Sequence, residues 1–241
     1  DAVLAVAAFP ADGALLDVGC GTGSLSFAMA RRWPGRAVVG VDIADAYVAF
    51  ARAKAAGGNP NFASADATAL PYEAASFAGA AAQLVLNFIP EPLSALREMR
   101  RVVRPGGVLA GAVWDFRGGL VYQRLFWDTA CGIDAAARAV RDRLFAAPLA
   151  LPEGLPRLFE AAGLREVRRD SVTIRMDYAD FADYWRPLLG GQGPVGSYVV
   201  GLAPALRQRV EAAVGDAYCA GAPDGPRSLT ATAWVVRGTV P

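Results

Sequence analysis

The chain has 241 residues, 54% of them hydrophobic, which suits one large α/β domain with a well-buried core. Its 24 Lys and Arg against 23 Asp and Glu leave a net charge of +1, without the basic footprint of a nucleic-acid binder. There is no histidine, which removes imidazole metal sites, Ser-His-Asp triads and any histidine general base.

Three cysteines, Cys20, Cys131 and Cys219, stand far apart with no CxxC pair. That spacing argues against a disulfide framework or a zinc site and for a reducing, cytoplasmic setting. No apolar run reaches the length of about 18 residues that a membrane span needs.

Asp1 to Phe9 is apolar, lacks a charged leader and a cleavage motif, and is expected to be the tail of a helix packed on the first strand. The chain begins without Met, so further residues are expected upstream. Leu15–Val18 reads as a buried strand running into a glycine cluster. Ser24–Trp33 has helical spacing, with Arg31 and Arg32 suiting the C-terminal end of the dipole and Pro34-Gly35 as the stop. Ala37–Val41 is a second strand ending at Asp42; Ala46–Ala56 is a helix closed by Gly57-Gly58; Asn61–Ala65 is a third strand ending at Asp66. Phe77–Leu86 reads as a fourth strand buried on both faces, and Pro92–Val103 as a helix stopped by Pro105-Gly106-Gly107. Arg97, Arg100, Arg101 and Arg104 read as that helix's solvated face. Val108–Trp114 is a fifth strand. This alternation predicts a parallel sheet with helices on both faces and right-handed crossovers.

Beyond Trp114 the rhythm changes. Helices are expected over Leu120–Cys131, Ala135–Phe145, Leu155–Ala162, Phe181–Leu189 and Ala205–Ala217. Long strands are expected over Glu166–Met176 and Leu229–Gly238, and a mobile segment over Gly190–Gly196.

The chemistry concentrates in Asp17-Val18-Gly19-Cys20-Gly21-Thr22-Gly23, which follows a strand and opens a helix. Its glycines allow a tight turn and close approach of a ligand, and the free N–H groups of a helix start favour an anion. A plain glycine turn would look the same in isolation. Asp42, however, ends the next strand, where an acid can bind both hydroxyls of a ribose, and Asp66 ends the third, where a side chain can meet an adenine amino group. Each Asp alone could be a helix cap or turn residue. Together they mark the carboxyl ends of consecutive parallel strands, where such sheets bind ligands.

The segments LLDVGCGTGSLS, VVGVDIA, SADATALP and RVVRPGGVLAGAVW resemble the successive motifs of class I S-adenosylmethionine (SAM)-dependent methyltransferases. The resemblance covers about residues 10–115 and lies nearest the subgroup of ubiquinone/menaquinone C-methyltransferases and natural-product enzymes. It implies an α/β, Rossmann-like, seven-stranded and mainly parallel sheet with helices on both faces, its antiparallel seventh strand (Leu229–Gly238) between strands five and six. It also implies a single domain over 1–241 with a SAM-binding core at 10–115 and helical insertions at 116–163 and 177–228 capping the substrate. Asp17, Gly19, Cys20, Gly21 and Gly23 would hold the methionine part, Asp42 the ribose, Ile43, Asp66 and Ala67 the adenine. Gln83 and Leu84 would lie near the sulfonium. The implied activity is methyl transfer from SAM to a small organic acceptor through an O-, N- or C-nucleophile, with S-adenosylhomocysteine (SAH) as product.

Candidate catalytic groups are few. Asp115, just past the fifth strand, could act as a base, although loop hydrogen bonding is the commoner role. Asn87 could orient a substrate oxygen or simply shape a turn before Pro90. Tyr122, Tyr178, Tyr184 and Tyr198 could line a pocket or pack a core, and Phe181, Tyr184, Trp185 and Leu188 could bury one helix face or cover a substrate. A nicotinamide oxidoreductase is the rival enzyme. Ser24 in place of the third glycine, the absence of Tyr-x-x-x-Lys and the repulsion expected between Asp17 and a pyrophosphate weigh against it. A SAM-binding module without catalysis is the second rival. Balanced charge and the lack of an Asn-Pro-Pro-Tyr-like motif weigh against nucleic-acid or protein methylation.

Overall fold

The computed structural model describes residues 2–241; Asp1, part of the expected terminal helix, lies outside the described residues. Strands β1 (Leu15–Val18), β2 (Val38–Asp42), β3 (Asn61–Ser64), β4 (Phe77–Gln83), β5 (Val103–Trp114), β6 (Arg165–Tyr178) and β7 (Arg227–Thr239) form one sheet in the order β3-β2-β1-β4-β5-β7-β6. The pairs β1–β2, β1–β4, β2–β3 and β4–β5 are parallel. Strand β7 runs against its neighbours. Gly106 N–H donates to the Val240 carbonyl at one end and Asp115 N–H to the Thr232 carbonyl at the other. The hydroxyls of Thr173 and Thr232 meet at 2.8 Å, while Thr239 Oγ1 donates to Glu166, giving the same antiparallel progression against β6. The expected place of the last strand is thus observed.

Helices connect the parallel strands: α2 (Ser24–Arg32), α3 (Asp45–Ala55) and α4 (Pro92–Val102). Short α1 (Ala2–Ala7) precedes β1 and buries Leu4 and Ala7 in a cluster with Leu15, Met29, Ala81 and Ala110. Successive residues of a strand face opposite sides. Ala110 joins that cluster, whereas a Cβ at the next residue, Gly111, would lie 3.0 Å from the Phe159 ring of α7 (Gly154–Ala161). Both faces of β5 are therefore covered by helices.

The chain divides into two compact units. The first comprises the residues up to Val113 with Pro152–Val172 and Trp234–Pro241; the second comprises Trp114–Leu151 and Thr173–Ala233. Helix α7, expected within a helical insertion, falls in the first unit, because Phe159 packs where Gly111 and Gly238 carry no side chain. The second unit has its own core. Helices α5 (Val121–Ala130), α6 (Ala135–Ala146), α8 (Phe181–Trp185), α9 (Gly193–Val200) and α10 (Pro204–Cys219) contribute Phe126, Trp127, Ala137, Tyr184, Trp185, Val199 and Val214 to it.

Four local expectations are corrected. Strand β4 stops at Gln83, because Leu84 turns to φ +60° and a 3-10 turn follows over Leu86–Phe88. Strand β5 begins at Val103, before the glycines expected to stop the preceding helix, and not at Val108. Phe77 pairs with Val103 and Gly79 with Val108, so the residues between bulge within the strand. The helix expected over Phe181–Leu189 turns 3-10 from Arg186, since Pro187 has no N–H for the α ladder. The glycine-rich segment expected to be mobile is in part the first turn of α9, with Pro194 in its first turn.

The arginines of α4 tie segments together. Arg101 donates to the carbonyls of Leu70 and Tyr72 while paired with Glu98, and Arg100 donates to the Ala162 carbonyl.

Phe159 is fully buried. Phe159→Ala should destabilise the protein by about 3–5 kcal/mol, read from the denaturant midpoint, with little change in the slope of the transition.

Candidate functional site

Because β1, β2, β3 and β4 are parallel, their carboxyl ends share one edge of the sheet. A cavity of about 330 Å³ opens there, in the range of small-molecule sites. The ends of β1 and β2 contribute Val18, Gly19, Val41, Asp42 and Ile43. The turn after β3 contributes Ala65, Asp66, Ala67 and Thr68, and the turn after β4 contributes Val85, Phe88, Ile89, Pro90 and Glu91.

Asp42 organises the floor. Its Oδ2 accepts from the Gly21 N–H at 2.8 Å and its Oδ1 from the Ala44 N–H at 2.9 Å. One carboxylate thus holds the glycine loop to the start of α3. Beside it Ile43 is 75% exposed, an apolar side chain left open at the cavity. Asp66 Oδ1 accepts from both the N–H and the hydroxyl of Thr68 at 2.8 Å. The Thr68 N–H, then its hydroxyl, hold the Asp66 carboxyl below the usual range.

Gly19 sits at φ +70°, and a Cβ there would come within 2.4–2.7 Å of Val85. Only glycine lets the loop take this left-handed turn while Val85 closes over it. A Cβ on Gly21 would meet nothing within 4 Å, so the backbone there is open to approach.

Several expected site residues take other places. Asp17 is 1% exposed and does not line the cavity; its Oδ2 accepts from the Ser26 hydroxyl at 2.5 Å. Burial pushes its carboxyl up to about 7, opposed by the Ser26 hydrogen bonds. Bound to Ser26 rather than set into the cavity lining, Asp17 supports the loop. Cys20 packs with Val48, Ala51 and Phe62 against α3, and burial raises its thiol. Gly23 is buried, and Gln83 and Leu84 lie outside the lining. Asp42, Ile43, Asp66, Ala67 and Gly19 are brought together as expected.

Asp115 is a turn residue. Its Oδ1 accepts from the N–H groups of Arg117 and Gly118, both at 3.1 Å. The tyrosines pack. Tyr184 is 2% exposed with its hydroxyl on the Tyr122 carbonyl, and Tyr198 donates to Asp134. Burial pushes the Tyr178 hydroxyl up to about 12, so it stays protonated. Asn87 falls between Val85 and Phe88 in the chain but is not itself a lining residue, and its buried Oδ1 has no hydrogen-bond partner among the described residues.

Asn87 apart, sequence reading missed the Val85–Glu91 wall, and it missed the Ser26 prop beneath Asp17. The wall had a signal: Asn-Phe-Ile-Pro-Glu directly follows the run expected to be the fourth strand, at the ligand edge.

A protein-family model described as a methyltransferase domain matches residues 16–111. The demethylmenaquinone methyltransferase of Thermus thermophilus is 34% identical over 175 residues, covering 66% of this chain and 77% of that protein. The enzyme of the same name from Roseiflexus castenholzii is 37% identical over 109 residues, and the match spans 45% of this chain and about half, 46%, of that protein. Among solved structures, phosphoethanolamine N-methyltransferase 2 of Haemonchus contortus, in complex with SAM, shares the fold. It covers 100% of this chain and 51% of that one at a TM-score of 0.59 and 14% identity.

Gly19→Ala should cost about 1–3 kcal/mol by forcing Val85 aside, and the double variant with Val85→Ala should recover part of the loss in thermal unfolding. Asp17 supplies a pH test. Its carboxyl stands at about 7 folded against 3.8 as the ordinary value. The folded state therefore holds the extra proton, and stability falls as pH rises through that window. Asp17→Asn should lose this dependence, so urea unfolding at pH about 4 and 8 should show the variant gaining on wild type at the higher pH.

Proposed function

The chain belongs to the class I SAM-dependent methyltransferases, and from that premise we propose that the cavity holds SAM and that the protein moves its methyl group to a small organic acceptor. The observation that carries this reading is convergence. Asp42, Ile43, Asp66 and Ala67, spread over two strand ends, line one cavity of about 330 Å³ beside the glycine loop.

The residues present fit the cofactor. Asp42 would accept from ribose hydroxyls on the lone pairs left by Gly21 and Ala44. Ile43 and Phe88, 75% and 60% exposed, offer apolar surface to an adenine. Asp66 and Thr68 offer polar groups to its edge. When bound, SAM would supply an electrophilic methyl carbon: the acceptor's nucleophilic electron pair forms the new bond, the carbon–sulfur pair stays on sulfur to leave SAH, and any proton displaced from the methylated atom passes to solvent.

This chain's contribution is to align and to exclude water. Such positioning can supply about 7–11 kcal/mol in favourable systems. With Asp115 committed to its own turn and no histidine in the chain, no base is assigned. The Asn87 carboxamide, with its unpartnered oxygen, is the group proposed to orient a donor on the acceptor or cofactor. The names of the two bacterial relatives make an acceptor of the demethylmenaquinone kind the first to try. No helix among the described residues is long and apolar enough to cross a membrane. The free thiols of Cys20, Cys131 and Cys219 support a reducing, cytoplasmic setting.

Calorimetric titration with SAM, SAH and NADPH should show binding of the first two alone; binding of NADPH instead would overturn the reading. Asp42→Ala should weaken SAM about 10- to 100-fold through loss of a charge-assisted hydrogen bond. Unchanged affinity in the folded variant would remove Asp42 from the site.

A further inference from the structure

A second, small cavity of about 40 Å³ lies where β7 runs between β5 and β6. Val108, Glu166, Arg168, Arg237, Gly238 and Thr239 line it, all within the first unit, and none of them lines the cavity at the strand ends. Its volume suits an ion of a few atoms. The strand register places the side chains. Thr173 meets Thr232 and Glu166 meets Thr239, contacts spaced equally along β6 and β7. One strand period in from Glu166 and Thr239, Arg168 therefore stands directly opposite Arg237. By the alternation of a strand, these four side chains share one face.

Like charges directly opposite one another on paired strands destabilise the pair. Nothing in the chain offsets this pair: among the described residues, no salt bridge engages either arginine. Nearby arginines of β6 differ, Arg169 pairing with Glu153 and Arg175 with Asp177. The one acid in the lining, Glu166, is turned at φ +50°, and its carboxylate accepts from the Thr239 hydroxyl at 3.1 Å. Arg237 is partly buried, so some of its hydration is already lost. Opposed guanidinium groups lining one small cleft supply the planar N–H forks that hold an oxyanion. We propose that Arg168 and Arg237 form a site for a small phosphate-type oxyanion, which bridges the two guanidinium groups and pins the edge strand β6 to β7.

The test is thermal unfolding of the whole chain in inorganic phosphate against chloride at matched ionic strength. Wild type should gain about 2–4 °C, saturating with a half-point of roughly 1 mM. Arg168→Gln and Arg237→Gln should each abolish the saturable gain; Arg168 is exposed, so its variant keeps the test open if the other fails to fold. In chloride alone, the double variant should be no less stable than wild type, because the repulsion leaves with the charges. Amide hydrogen exchange locates the effect: phosphate should slow exchange over 166–170 and 235–239 in wild type and not in the variants. Glycerol 3-phosphate separates the sources. A gain at least equal to that with inorganic phosphate identifies a phosphate monoester as the ligand, and a smaller one identifies the free ion. No saturable gain in wild type, an equal gain in the variants, or protection confined to other segments would overturn the site. The cofactor reading stands or falls separately.

Discussion

The structure turns on the clamp formed by Asp42. A glycine-rich loop has many conformations available to it, and an ordered binding edge requires that one be chosen. The Asp42 carboxylate does so with two backbone hydrogen bonds, to Gly21 across the loop and to Ala44 at the entry to α3. Hydrogen bonds to a charged acceptor are the stronger kind, and here they join the ends of two adjacent parallel strands. The group proposed to recognise the ribose is thus also the group that builds the floor it stands on.

Beneath the clamp the protein carries a cost. Asp17 is buried in an apolar strand with the Ser26 hydroxyl against it. A buried carboxyl is expensive to keep charged. Asp42, itself close enough to contribute to that upward shift, makes charging harder still. The two acids therefore divide their work. The outer one binds backbone and faces the cavity; the inner one is sealed off and props the helix that begins at Ser24.

Much of this was legible in the residues. Short apolar runs ending in Gly or Asp are strong signals, so β1, β2 and β3 lie within a residue or so of their expected bounds. The strand-end positions of Asp42, Ile43, Asp66 and Ala67 carried their roles, because a parallel sheet sends its strand ends to one edge. Legibility failed where side-chain direction or a backbone turn decides. Nothing in the motif says that Asp17 faces inward to Ser26, and the positive φ of Leu84, which cuts β4 short and swings Val85–Glu91 to the cavity, has no glycine to announce it. In the second unit the aromatic residues could have lined a pocket as well as filled a core. Only the packing of Tyr184, Trp185 and Tyr218 on Phe126 and its neighbours decides between them.

The order of the strands has a consequence in time. Strand β7 lies between β5 and β6 although it comes after both in the chain. A ribosome delivers β6 first, when the position beside β5 is still vacant. For the interval in which Tyr178 to Arg227 is being made, β6 has no strand to pair with, and β5 keeps an open edge of unpaired backbone groups. Closure of the sheet is therefore a late, long-range event, and the exposed edge of β5 is where the nascent chain is most open to pairing with a neighbour.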